Sequence, residues 1–215
     1  MLSIPRAIVF DLDGTLCDSY APITTSLNAA RAAFGLEPVT LQQVKREVGR
    51  GLESLVEDHL GPDHVAAGVD VFRATYATVF LAGTKPLAGV PDVPQALAQR
   101  GIRLAVASNK PARFGRPIVD KLGLEQAVKV VLGPEPDIPP KPEPPMLLRA
   151  CRELGVRPED TLYVGDMPLD VESATRAGLA YALVATGSAE RRDLEACSTA
   201  PVFADLRELQ AALAI

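Results

Sequence analysis

Ala7-Ile8-Val9-Phe10-Asp11-Leu12-Asp13-Gly14-Thr15-Leu16 decides how this chain is read. A short apolar run, with the composition of a buried strand, ends on two aspartates two residues apart. Carboxylates are rarely left at the mouth of a buried strand without a partner. Two so close repel each other unless a cation or a shared proton intervenes. The C-terminal ends of parallel strands are also where open α/β sheets hold their ligands. The stretch therefore predicts a metal or phosphoryl site at the end of a buried parallel strand.

Four further apolar runs of the same kind follow: Leu104–Ala107, Lys129–Leu132, Leu162–Val164 and Tyr181–Val184. Helical patterns separate them, over Phe114–Leu122, Met146–Leu154 and Leu169–Ala177. Each stops at a glycine, Gly123, Gly155 and Gly178, the expected signal just past a helix end. Strand-helix-strand repetition with right-handed crossovers predicts an α/β fold with a Rossmann-like parallel sheet.

Between the first two strands lie roughly ninety residues, far more than a crossover needs. The early part carries only helical patterns: Ala21–Phe34, a helix opened by the capping-box spacing Thr40-Leu41-Gln42-Gln43 and running to Val48, Leu52–Leu60, and Val65–Leu81. Val93–Arg100 then returns the chain to the sheet. The expected organisation is a catalytic core of residues 1–16 and 84–215, with a small all-helical cap, 17–83, inserted after the first strand. An insert leaving from an active-site loop is placed to act as a lid.

Composition bounds the partners. The 215 residues are 47% hydrophobic and 23% charged, with a net charge of −5. That fits a globular protein with a sizeable core and argues against nucleic acid or an anionic membrane as partner. No uninterrupted apolar stretch reads as a membrane span, and no leader pattern opens the chain. Cys17, Cys151 and Cys197 have no metal-site or redox-pair spacing and read as reduced thiols, which predicts a cytoplasmic protein. A monomer and a small homodimer are both compatible.

The residues following each strand carry the chemistry. Asp11 and Asp13 follow the first, Ser108 and Asn109 the second, Lys141 the third and its proline-rich loop, and Gly165, Asp166 and Asp170 the fourth. In a parallel sheet these loops emerge on one edge. Four carboxylates with a lysine and no histidine make a hard-oxygen site suited to Mg2+. The hydroxyl, amide and ammonium are donors suited to an anion.

Phe10-Asp11-Leu12-Asp13-Gly14-Thr15-Leu16 resembles the first motif of the haloacid dehalogenase-like hydrolase superfamily. Ser108-Asn109-Lys110-Pro111 resembles its second motif, Pro140-Lys141-Pro142-Glu143-Pro144 its third, and Val164-Gly165-Asp166-Met167-Pro168-Leu169-Asp170 its fourth. Asp18-Ser19, Val48-Gly49-Arg50-Gly51 and Asn109-Lys110-Pro111 before Phe114 resemble the phosphoglycolate phosphatase branch, which has a small helical cap.

The resemblance implies a phosphatase acting through an aspartyl-phosphate, with a small phosphorylated metabolite as substrate. Asp11 would be the nucleophile and Asp13 the group that protonates the leaving alcohol and then activates water. Mg2+ would sit on the Asp11 carboxylate, the Asp13 carbonyl and Asp166, with Asp170 holding metal-bound water or orienting Lys141. Ser108 would bind a phosphoryl oxygen and Lys141 would neutralise shared charge. Gly14 is expected to let backbone N–H groups approach the phosphate, and Asn109 to contact substrate. Asp13 sets the chain apart from the superfamily's dehalogenases, which lack an acid there. Ser19-Tyr20-Ala21-Pro22 lacks the cap histidine usual in mutases related to β-phosphoglucomutase. Pyrophosphate, nucleotides and sugar phosphates stay open as substrates, as does a phosphomutase, and a non-catalytic phosphometabolite-binding module is the alternative class.

Other residues keep two readings. Arg50, between two glycines in the insert, reads equally as a clamp on a substrate anion and as a surface arginine. Lys110 reads as a substrate contact or as solvent-facing. Asp170 and Ser108 also suit helix N-termini. His59 and His64, flanking Gly61-Pro62, read as solvated helix-end residues.

Overall fold

The computed structural model describes residues 4–213; the expected core limits at 1–3 and 214–215 lie outside it. The chain runs β1 (Ala7–Phe10), β2 (Cys17–Asp18), α1 (Tyr20–Ala33), α2 (Leu41–Glu47), α3 (Leu52–Leu60), α4 (Val65–Gly83) and β3 (Lys85–Pro86). It continues through α5 (Asp92–Gln99), β4 (Arg103–Ala107), α6 (Ala112–Lys121), β5 (Val128–Leu132), α7 (Pro145–Leu154), β6 (Thr161–Gly165) and α8 (Pro168–Ala177). It closes with β7 (Ala180–Val184), α9 (Arg191–Cys197), β8 (Val202–Phe203) and α10 (Leu206–Ala212).

Six strands form one parallel sheet in the order β5-β4-β1-β6-β7-β8, the doubly wound Rossmann-like order. The side chains of β1 alternate between two cores. Ile8 and Phe10 pack on one face with Val106, Leu97 and Ile118, while Ala7 and Val9 pack on the other with Met146, Leu147 and Ala150. Helices on both faces explain why these strands read as continuous apolar runs rather than alternating ones. The five strands expected from sequence all form; β8, α9 and α10 carried no strong periodic signal and were not expected.

Helices α1 to α4 build a separate layer around Ile23, Leu27, Val44, Leu55, Val56 and Phe72. The antiparallel ribbon β2–β3 carries the chain out of the sheet and back. The capping box at Thr40 and Gln43 forms as its spacing predicts. His59 is not solvated: its imidazole pairs with Glu47 and is largely buried. His64 stacks on Phe34 with ring centroids 4.5 Å apart.

Pro62–Gly83 is long enough to cross a membrane and holds an 18-residue window of mean hydropathy 1.3, but Asp70 and Arg73 interrupt its apolar run. Here it packs on α1 and α3, and its Val69, Phe72 and Tyr76 are buried in the helical layer.

Candidate active site

β1 lies between β4 and β6, at the point where the chain's crossovers change direction, so a crevice opens at its C-terminal end. Asp11 stands at that end, its N–H donating to Val164 across the sheet at 2.8 Å. Its Oδ1 is 3.1 Å from the Lys141 ammonium, and this buried oxygen makes no further hydrogen bond. Lys141 arrives on the loop before α7. It donates to Asp170 Oδ1 and to the Tyr163 hydroxyl, each at 2.8 Å. Tyr163 donates in turn to the Asp170 carboxylate at 3.0 Å or the Ala107 carbonyl at 3.2 Å.

Burial dominates the electrostatics. It raises the Asp11 carboxyl to about 6; Lys141 pulls it down, while Asp170 and Asp13 push it up. Burial alone would lower Lys141, but Asp11 and Asp170 outweigh it and hold the ammonium above the ordinary lysine value. Asp166 is raised well above the carboxylate range by burial, then by Asp170 and Asp11.

Asp166, at the end of β6, is fully buried. Thr15 donates to its Oδ1 and the Ser188 N–H to its Oδ2, each at 3.1 Å. Gly14, with φ of +87°, passes so close that a Cβ there would strike the Asp166 carboxylate and the Tyr20 hydroxyl. Gly187 approaches Asp166 from the other side, and a Cβ there would overlap the carboxylate. Asp11, Asp166 and Asp170 each offer an oxygen within 4.8 Å of the others. Three buried hard-oxygen donors, with Asp11 Oδ1 short of hydrogen bonds, fit a divalent cation.

Asp13 has a different set of partners. Its Oδ1 accepts a hydrogen bond from Ser19, and its Oδ2 is 2.9 Å from the Lys110 ammonium. Lys110 also donates to the hydroxyl of Tyr76 on α4 at 2.7 Å. Burial pulls Lys110 down, but Asp13 and Tyr76 reverse this and hold it above the ordinary value. The two aspartates of the first motif are thus served by two separate lysines.

The remaining expected residues fall into three groups. Ser108 is buried at the end of β4 and lines the same cavity as Asp11, Asp13 and Lys141. It does not cap α6; its hydroxyl accepts the Lys110 N–H at 3.3 Å. Asp170 faces two ways: Oδ2 accepts the N–H groups of Asp166 and Met167 at the start of α8, while Oδ1 faces Lys141.

Asn109 and Gly14 are engaged with backbone groups. The Asn109 amide donates to the Gly49 and Lys141 carbonyls and accepts the Lys141 N–H at 2.7 Å, so its polar atoms tie loops together. The Gly14 N–H is taken by the Cys17 carbonyl at 2.8 Å, and both its positive φ and the close approach of Asp166 and Tyr20 call for glycine. Arg50 is not brought to the cavity: its exposed guanidinium pairs with Asp58 on α3. Arginine is long enough for either fate, and the nearer carboxylate wins.

Tyr163, Thr15, Ser188 and Gly187 were missed. Tyr163 reads as one more apolar strand residue, Thr15 sits inside the first motif with no signal for its partner, and Gly187 and Ser188 lie past the last expected strand. The cavity also has apolar walls from the helical layer and from α6, including Ile23, Leu52, Leu55, Phe72 and Phe114, with Met167 near Gly49. Together these groups can hold a phosphoryl anion, present a carboxylate to it, and move a proton beside it.

Residues 5–178 match the model of the haloacid dehalogenase-like hydrolases, and the chain belongs to that family. Within it the chain is a phosphatase, as its relatives are. It is 36% identical to a phosphoglycolate phosphatase of Aquifex aeolicus, over 85% of each chain. It is 32% identical to phosphoglycolate phosphatase 1 of Pseudomonas aeruginosa, covering 96% of this chain and 79% of that one. The same organism's N-acetylmuramic acid 6-phosphate phosphatase is 33% identical, over 93% and 90%. Among solved structures, a predicted phosphoglycolate phosphatase of Haemophilus somnus 129PT superposes with a TM-score of 0.89 at 25% identity, covering 99% of each chain.

Proposed function

We propose that this protein is a Mg2+-dependent phosphatase of a small phosphorylated metabolite, with 2-phosphoglycolate as the leading substrate. The observation that carries the mechanism is the division of labour at the first motif. Asp11 faces Lys141, and Asp13 faces Lys110 and Ser19. Asp11 attacks phosphorus in line, and the bond from phosphorus to the leaving oxygen breaks as Asp13 delivers its proton there. Water then attacks the aspartyl-phosphate, giving its proton to Asp13, and inorganic phosphate leaves.

Lys141 neutralises charge between Asp11 and the transferring group, and Ser108 donates to a phosphoryl oxygen. Asp170, whose oxygens already accept from Lys141, Tyr163 and two backbone N–H groups, acts mainly by orienting Lys141. Mg2+ held by Asp11, Asp166 and the Asp13 carbonyl, with Asp170 nearby, would supply the positive charge that lets an anionic nucleophile meet an anionic ester. The helical unit 17–83 serves as the lid, and Asn109 as a tether between core loops and lid. The unpaired cysteines support a cytoplasmic setting.

A sugar-phosphate ester is the second reading, favoured by the equally similar N-acetylmuramic acid 6-phosphate phosphatase. A phosphate-ester panel ranked by kcat/KM with Mg2+ separates the two readings. Asp11→Asn is expected to lose turnover on every ester while keeping its circular dichroism spectrum; turnover near wild type refutes Asp11 as nucleophile.

A further inference from the structure

Lys110 is the second buried lysine of the cavity, its side chain 7% exposed. Lys141 is committed to Asp11, Asp170 and Tyr163 on the nucleophile's side. Lys110 lies on the other side, beside the carboxylate that serves the leaving oxygen. The other cations lining the cavity are placed differently. Arg73 pairs with Glu53 with 41% of its side chain exposed, and Arg113 is exposed and lies over the Phe114 ring. The walls beyond are mostly apolar, and an anion left among them without a cation would be costly.

We propose that Lys110 reads the leaving group: its ammonium binds a carboxylate carried on the carbon next to the ester oxygen, and in doing so releases Asp13. The inference rests on the phosphatase reading and on Asp13 acting at the leaving oxygen. An oxygen in reach of Asp13 places that carbon's substituent beside Lys110, because the ammonium is only 2.9 Å from Asp13 Oδ2. An ammonium has three donors, and Tyr76 holds one of them at 2.7 Å. Tyr76 therefore keeps Lys110 in place from the lid as Asp13 is exchanged for substrate. Ser19 retains the other Asp13 oxygen throughout. A neutral alkyl ester offers nothing to draw Lys110 away, so its Asp13 stays paired.

The test compares 2-phosphoglycolate with ethyl phosphate, which has the same two-carbon frame without the carboxylate. For Lys110→Met, the ratio of kcat/KM on the two esters is expected to fall at least about thirty-fold, mainly through KM on 2-phosphoglycolate. Lys110→Arg is expected to restore part of the ratio. Tyr76→Phe, which keeps the ring and loses the hydroxyl, is expected to shift it the same way by about three- to ten-fold. Equal losses on both esters in Lys110→Met and Tyr76→Phe would give Lys110 a structural role and overturn the proposal. So would a wild type that prefers ethyl phosphate. Absence of turnover by the wild type on any ester would instead overturn the phosphatase reading beneath it.

Discussion

Replacing Lys141 by methionine tests the electrostatic frame of the site most directly. Methionine fills the volume of the lysine stem but leaves Asp11, Asp166 and Asp170 buried within 4.8 Å of one another without their cation. Removing one partner of a buried ion pair typically costs about 3–5 kcal/mol, against a total stability of about 5–15 kcal/mol for a domain. Lys141 serves two carboxylates and a tyrosine, so the upper part of that range is expected in metal-free protein at pH 7.5.

The loss should shrink in acid. The Asp11 carboxyl sits at about 6 in the folded state, above its ordinary 3.8. Its neutral form therefore favours folding below about 4, and that contribution is lost as pH rises through about 6. Without Lys141 the one large downward pull on Asp11 is gone, so Asp11 stays neutral to higher pH. The gap between variant and wild type should then be smaller at pH 5 than at pH 7.5. Urea unfolding of metal-free protein at both values measures it. A gap under about 1 kcal/mol at pH 7.5, or one that widens towards acid, would refute the reasoning.

Gly187→Ala places a methyl into the Asp166 carboxylate; metal affinity by titration calorimetry should fall about 10- to 100-fold with the fold intact. Because Asp11 must be ionised to bind a cation, Mg2+ affinity should weaken as pH falls through about 6, with proton release on binding visible as a buffer-dependent heat. Arg50→Ala removes an exposed pair with Asp58; KM on 2-phosphoglycolate should stay within about two-fold and stability within about 0.5 kcal/mol, read by steady-state kinetics and urea unfolding.

Much of the candidate site is legible in the sequence because a parallel sheet sends every strand's C-terminal loop to one edge. Asp11, Ser108, Lys141 and Asp166 could be gathered from strand ends alone. Asp170 could be placed one helical turn further on, where it turns back on Asp166. The glycines after α7 and α8, at Gly155 and Gly178, take the left-handed backbone their positions predicted.

What sequence alone determined was local: which runs become buried strands, which patterns become helices, and which chemistry the strand ends carry. These follow from side-chain period and backbone preference, which neighbours in the chain set between themselves. Tertiary packing decided which partner each polar group met. It gave Asp13 to Lys110 and Lys110 in turn to Tyr76 of the helical layer, used the Asn109 amide on backbone, and sent Arg50 to Asp58 rather than the cavity. A long charged side chain reaches several partners of similar local merit, and only the three-dimensional placement of carboxylates and carbonyls selects among them.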